Sequence, residues 1–341
     1  MNSPSPRRIA IDAMGGDRGV GVTVPAANRI LARRSDLELV LVGDSDRIEP
    51  LLSRVPAGNR GKLRVLHTDT EVAEDDRPGS VLRSARESSM FLAADMVKSG
   101  DAQAMVSAGN SGALLMIGRH LLKTIPGIHK PAMVATIPGA SKQSFLLDVG
   151  ANPECDAQHL FEFAVMGSVL AESLNRAPAR VGLLNIGAEH YKGTEAVREA
   201  AEKLERCPAI DYVGFIEANE IYHGQADVVV CDGFVGNVTI KASEGVANVI
   251  RNVLYHKAGP AYFNRISRFF SASIINSLTM QVNPERFNGA CLLGLQGNVV
   301  KSHGNASVLG FCHAILEAAN EIDNQVPRLI ANKVESIMAT A

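Results

Sequence analysis

The chain has 341 residues, 46% of them apolar, with a formal net charge of −2 and no tryptophan. That length and apolar content suffice to bury a large core, in one big domain or two intimate ones. The near-neutral charge argues against general nucleic-acid binding, which needs a basic footprint. Short β-branched apolar runs then recur along the chain: RIAIDAM 8–14, LELVLVGD 37–44, LRVLHT 63–68, AQAMVSAG 102–109, AMVATIP 132–138, SFLLDVG 144–150, RVGLLNIG 180–187, DYVGFIE 211–217 and DVVVCDG 227–233. Helical composition fills 78–99, 156–175 and 194–206, and a helix is expected to open at Thr239–Gly245. Continuous apolar strands alternating with helices predict a three-layer α/β fold whose mostly parallel sheet is covered on both faces. One large domain is expected over 8–330, with an amphipathic helical projection over 246–283.

The strands end in a consistent way. DAMGGD 12–17, SAGNSG 107–112, DVGANP 148–153, NIGAEHYKG 185–193, IEANE 216–220 and CDGFVGN 231–237 each follow an apolar run, and LQGNVVKSHGNAS 295–307 has the same character. Any one such corner is more often a plain turn. The set, placed on one edge of a parallel sheet, predicts an anion site built from glycine loops and helix N-termini. Its candidate binding residues are Gly15, Gly16 and Asp17; Ser107, Gly109, Asn110 and Ser111; Asn152; Gly233 and Gly236; and Lys301.

Much chemistry is excluded by missing patterns. GGDRGVG at 15–21 is not GxGxxG, and there is no GxxxxGK[ST], GxSxG or HExxH. None of the nine histidines pairs at a ligand spacing, so no metal is expected. The five cysteines, an odd number with no CxxC, read as reduced thiols in a cytoplasm. Cys231 opens a glycine loop, yet a cysteine ending a buried strand is more often a core residue than a nucleophile. The N-terminus lacks a signal-peptide core, and no run of 18 apolar residues spans a membrane. Lys192, between Gly187 and Gly193, stands either as a solvated lysine or where a cation meets a phosphate or developing oxyanion. Asn237 either caps a helix from Val238 or orients a carbonyl or phosphate. Lys301 and His303 form a second cationic corner, suited to an anion or a general acid.

Taken together, IAIDAMGGD, LVLVGD, SAGNSGALL, LLDVGAN, GLLNIGAEHYKG, GFIEANEI, DVVVCDGFVGNVTIKASEG and NGACLLGLQGNVVKSHG resemble the bacterial phosphate acyltransferases of phospholipid synthesis, over about residues 8–325. The sequence departs from that pattern in RGVGVTVP, where an Ala-Pro pair is usual, and at Ala218, where a glycine is common. The resemblance implies a fold like those of phosphotransacetylases and of isocitrate and isopropylmalate dehydrogenases. It implies transfer of an acyl group from acyl-acyl carrier protein to inorganic phosphate, without a cofactor, and an acyl phosphate that feeds glycerol-3-phosphate acylation. Fitted to that reaction, the residues read above make Lys192, Asn237, His303 and Asp232 the candidate reactive residues, with Lys192 and Asn237 foremost and Asp232 orienting a neighbouring cation. The resemblance also implies a soluble homodimer in the cytoplasm, in peripheral contact with the inner face of an anionic membrane and possible contact with a glycerol-3-phosphate acyltransferase.

One segment bears on that last point. From Gly245 to Pro284 there is no Asp or Glu, and Phe263, Ile266, Phe270, Ile274 and Leu278 fall on one helical arc opposite Arg265 and Arg268. Such a helix lies on a membrane, docks an acidic carrier protein, or buries its apolar face in a core or dimer interface; the resemblance favours the membrane. Two other readings remain. A decarboxylating dehydrogenase would show paired aspartates on a helix, which are not visible, and a non-catalytic scaffold would leave the polar strand ends unused.

Overall fold

All nine apolar runs form strands in the computed structural model, which describes residues 7–139, 143–257 and 284–340. They are β1 (Arg7–Asp12), β2 (Leu37–Gly43), β3 (Leu63–His67), β4 (Ala104–Ser107), β5 (Ala132–Ile137), β6 (Ser144–Leu147), β7 (Arg180–Leu184), β8 (Asp211–Ile216) and β9 (Val228–Val230). Two further strands, β10 (Ala290–Leu293) and β11 (Asn298–Lys301), complete one sheet in the order β3-β2-β1-β4-β11-β10-β5-β6-β9-β7-β8.

The direction of these strands changes partway across. β1 to β4 and β11 run parallel. β10 is antiparallel to both β11 and β5, and β5 is antiparallel to β6. Beyond that point β6, β9, β7 and β8 are again mutually parallel. The sheet is therefore two parallel halves pointing opposite ways, welded by an antiparallel centre. The polar corners do not share one edge, as the sequence suggests. Those after β1, β4 and β11 lie on one edge, and those after β6, β7, β8 and β9 on the other. Apolar composition marks a strand but carries no information on its direction, which register alone decides.

Helices cover both faces, as all-buried parallel strands require. Along β5, Ala132 and Val134 join one buried cluster with α1 (Val20–Leu31), α7 (Ala157–Asn175) and the last two helices, Val308–Asn324 and Val326–Thr340. Met133 and Ile137 point the other way, into a cluster with α5 (Ser89–Ser99) and α6 (Ser111–Leu122). The helical stretch 78–99 is two helices, because the Ser88 hydroxyl accepts from Phe91 N at 3.3 Å and starts α5 afresh after Pro78–Ser84. The helix after β9, hereafter the roof helix, is Gly233–Lys257 and so begins six residues before Thr239. Its second half carries exposed Val246, Val249 and Val253. The rest of the expected projection, including Phe263, Ile266, Phe270, Ile274 and Leu278, lies outside the described residues. No described helix is long and apolar enough to cross a membrane.

Candidate active site

A cavity of about 880 Å³ opens over the antiparallel centre of the sheet. Met133, Ala135 and Ile137 of β5 form its floor, and Ile240, Ala247 and Ile250 of the roof helix face it. The roof helix links the two sheet edges. Asn237, at one end, packs by Gly150; Glu244, seven residues on and about 10 Å along the axis, places Oε1 3.3 Å from His303 Nε2 at the other.

The first pole is built on Lys301, the last residue of β11. Its side chain is buried, and Nζ donates to Ala108 O at 3.2 Å and to Ser302 O. Burial pushes its pKa down to about 8, against the opposing pull of Glu74, Asp12 and Asp17. Ser111 opens α6 beside it, and Asn110 caps that helix by accepting from Ala113 N at 3.0 Å while its amide donates to Glu74 O and Asp76 O. The Asn110 cap leaves the other first-turn N–H groups of α6 free for an anion. His303 is held from behind by its N–H, which donates to Asn288 Oδ1 at 2.9 Å.

Beneath this pole sits Asp12, which sequence reasoning took only for a turn residue. It is fully buried and accepts from Ser89 Oγ and Ser107 Oγ, both at 2.6 Å, and from the N–H groups of Met14 and Gly15. Ser107 Oγ accepts in turn from Gly109 N at 3.1 Å. A Cβ on Gly15 would stand 2.6 Å from Asp12 Oδ2, and Gly16 holds φ +85°, so both positions demand glycine. Asp17 N donates to Gly304 O at 2.9 Å, tying the β1 corner to the β11 corner. Asp12→Asn would keep a carbonyl oxygen for the three donors at Oδ1 but turn an NH2 group toward the Ser107 hydroxyl that donates to Oδ2. Its expected effect is a loss of about 2–4 kcal/mol, read as a lower urea midpoint with unchanged slope.

The second pole repeats the device. Asp148, also buried, accepts from the N–H groups of Met133, Gly150, Ala151 and Asn152 and from Asn152 Nδ2. Asn152 O accepts from Gly233 N at 2.8 Å, which seats the first turn of the roof helix. Asp232 Oδ1 caps that helix, accepting from Val235 N at 2.8 Å. Asn237 is accordingly inside the helix and not its cap, with its side chain in the cavity. Cys231 is buried, and burial raises its thiol pKa well above the usual range. Lys192 stands on the loop after β7 with Nζ 2.7 Å from Glu189 Oε2.

Of the sequence-derived candidates, Ser111, Asn237, Lys301 and His303 line the cavity. Gly15, Gly16, Asp17, Ser107, Gly109 and Asn110 shape the first pole from behind, and Asn152, Asp232, Gly233 and Gly236 the second. Lys192 is not among the lining residues. Glu244, Asp12 and Asp148 were missed. An acid at the end of an apolar run, followed by glycine, was the available signal for the last two. Among the described residues, no three His, Cys, Asp or Glu side chains are grouped to hold a metal.

A family model described as fatty acid synthesis protein matches residues 7–329. Proteins named phosphate acyltransferase from Shewanella woodyi and Shewanella baltica are each 46% identical over 332 residues, covering 97% of this chain and 97% of theirs. Among solved structures, a phosphotransacetylase from Streptococcus pyogenes superposes with TM-score 0.65 at 17% identity, covering 94% of this chain and 95% of its own. A branched-chain phosphotransacylase from Enterococcus faecalis gives 0.53 at 14%, covering 93% and 99%. The structural likeness shows the fold, and the sequence likeness shows the kinship. This chain belongs to the fatty acid synthesis protein family, with the phosphate acyltransferases, and is an acyltransferase.

Proposed function

We propose that the protein transfers a fatty acyl group from acyl-acyl carrier protein to inorganic phosphate, giving acyl phosphate for phospholipid synthesis. The observation that carries this reading is a single cavity with a polar pole, where the Lys301 ammonium lies with Ser111 and His303, and a mostly apolar body. A thioester needs little activation, because its thiolate leaves with a pKa of about 8.5. The site has to hold phosphate against the carbonyl and stabilise the oxyanion. In this mechanism Lys301 and the α6 N-terminus seat the phosphate, whose oxygen attacks the carbonyl carbon. The Asn237 amide donates to the tetrahedral oxyanion as the C–S bond breaks. The thiolate takes its proton from His303, which Glu244 steadies, or from water. Lys192, on the loop after β7 and outside the cavity lining, exchanges its exposed partner Glu189 for the charge of the incoming substrate, a swap that costs little for a solvent-screened pair.

No metal or organic cofactor is needed for these steps. A homodimer in the cytoplasm, membrane contact through 260–281 and hand-over of acyl phosphate to a glycerol-3-phosphate acyltransferase complete the reading. The exposed valines of the roof helix, which lie at the start of the acid-free stretch, support the membrane contact. The test is incubation with long-chain acyl-acyl carrier protein, with and without phosphate, following free carrier thiol. Release that requires phosphate is expected; release without it would mean a thioesterase, and no release in either arm would overturn the assignment.

A further inference from the structure

The cavity has a polar pole of known composition, but its floor has a feature the reaction alone does not require. β10 and β11 pair so that Ala290 lies opposite Lys301, and β10 and β5 pair so that Cys291 lies opposite Val134. Ala290 is thus the step between Lys301 and Ala135, and both alanines face the cavity. Neighbouring strands lie about 4.8 Å apart, which puts Ala135 two strand spacings, roughly 10 Å, from the cationic end. On either side of it along β5 the floor rises to the larger side chains of Met133 and Ile137, both buried. Ala247 of the roof helix faces the same space from above.

We propose that residue 135 sets the longest acyl chain this enzyme accepts: the chain leaves the reacting carbonyl near Lys301, crosses Ala290 and Ala135 beneath the roof helix, and continues into the apolar limb. The proposal rests on the acyl-to-phosphate reading for its substrate and adds where the chain lies and what limits it. Three points support it. A volume of about 880 Å³ is that of a site for a large ligand, far beyond an acetyl group. Ala135 is half-buried, so its methyl borders space and not a neighbouring side chain on that face. Its cross-strand neighbour on the other side is Leu146, fully buried, so the floor cannot fall away there to make room for a larger residue.

The experiment compares wild type with Ala135→Phe on carrier-protein thioesters of four and sixteen carbons, scoring phosphate-dependent thiol release, and titrates both proteins with palmitate. A four-carbon chain ends short of residue 135; a sixteen-carbon chain must pass it. The expected result is a fall of roughly 30-fold or more in the palmitoyl-to-butyryl ratio of kcat/KM, on the scale of discrimination by one to a few methylenes, with palmitate binding weakened alongside. An unchanged ratio in folded Ala135→Phe overturns the proposal. Should that variant fail to fold, Ala247→Phe, on the opposite wall, decides by the same ratio. Wild type that binds palmitate but shows no phosphate-dependent release would overturn the reaction, while weaker palmitate binding by Ala135→Phe would still uphold the chain's location.

Discussion

Lys301→Met is expected to lower kcat/KM for phosphate at pH 7 by about a hundredfold or more, the usual scale for losing a preorganised electrostatic partner. Lys301 is a cation lining the cavity that is also buried, so its field is poorly screened by water. The loss should fall on the phosphate term more than on the thioester term, because the ammonium would meet the anion and the apolar limb would meet the chain. A pH profile separates this role from mere scaffolding. With a pKa of about 8, Lys301 carries its charge below pH 8 and loses it above. Wild-type kcat/KM for phosphate should therefore fall as pH rises through about 8. Lys301→Arg, charged throughout this range, should move that limb upward even if its absolute activity is reduced. A profile flat through pH 9 would show that Lys301 does not contact phosphate. The variant also strips the donor from Ala108 O and Ser302 O, so some stability is lost, about 1–3 kcal/mol.

Gly236→Ala should be nearly as damaging for an unrelated reason. An added Cβ would stand 1.8 Å from Asp148 O and 3.0 Å from Cys231 Sγ. The first of these is backbone, fixed by the hydrogen bonds that Asp148 collects, so it cannot give way. The roof helix would have to lift off its corner, carrying Asn237 out of the cavity. Activity should fall to near background and stability by about 3 kcal/mol or more, the upper range for overpacking. The control lies nine residues along the same helix. A Cβ on Gly245 meets nothing within 4 Å, so Gly245→Ala should stabilise the protein by about 0.5–1 kcal/mol through helix propensity. Thermal melts of the two variants, with turnover at saturating substrate, check both. Equal behaviour of the two glycines would refute the close-packed corner.

The contrast between these glycines also shows what the sequence could convey. Composition suggested Gly233 and Gly236 on a loop before the helix, because glycine disfavours helix interiors. The structure puts both inside the first turn, where the demand is for close approach and not for flexibility. Most strands were legible because apolar residues buried on both faces form short continuous runs, although β3 and β8 at the sheet's edges are partly exposed. β10, only four residues long and ending at a glycine, did not stand out, and with it went the reversal that separates the corners. Asp12 and Asp148 looked like turn acids beside glycine; that they are buried acceptors holding whole loops depends on contacts from Ser89, Ser107 and Met133, distant in sequence. Lys301 and Asn237 were legible as polar residues at strand ends, yet their meeting across one cavity required the roof helix to span both edges.

The position of β11 has a consequence for how the chain comes into being. The strand that joins β4 on one side and, through β10, β5 on the other is among the last to be synthesised; Ala108 and Lys301, in contact when folded, are 193 residues apart. At about 5–20 residues per second, the ribosome leaves the apolar edge of β4 unpaired for roughly 10–40 s. A nascent chain in that interval presents an open sheet edge, the surface that aggregation exploits. Protection by a chaperone, or slow closure after release, is thus built into the order in which this sheet is made.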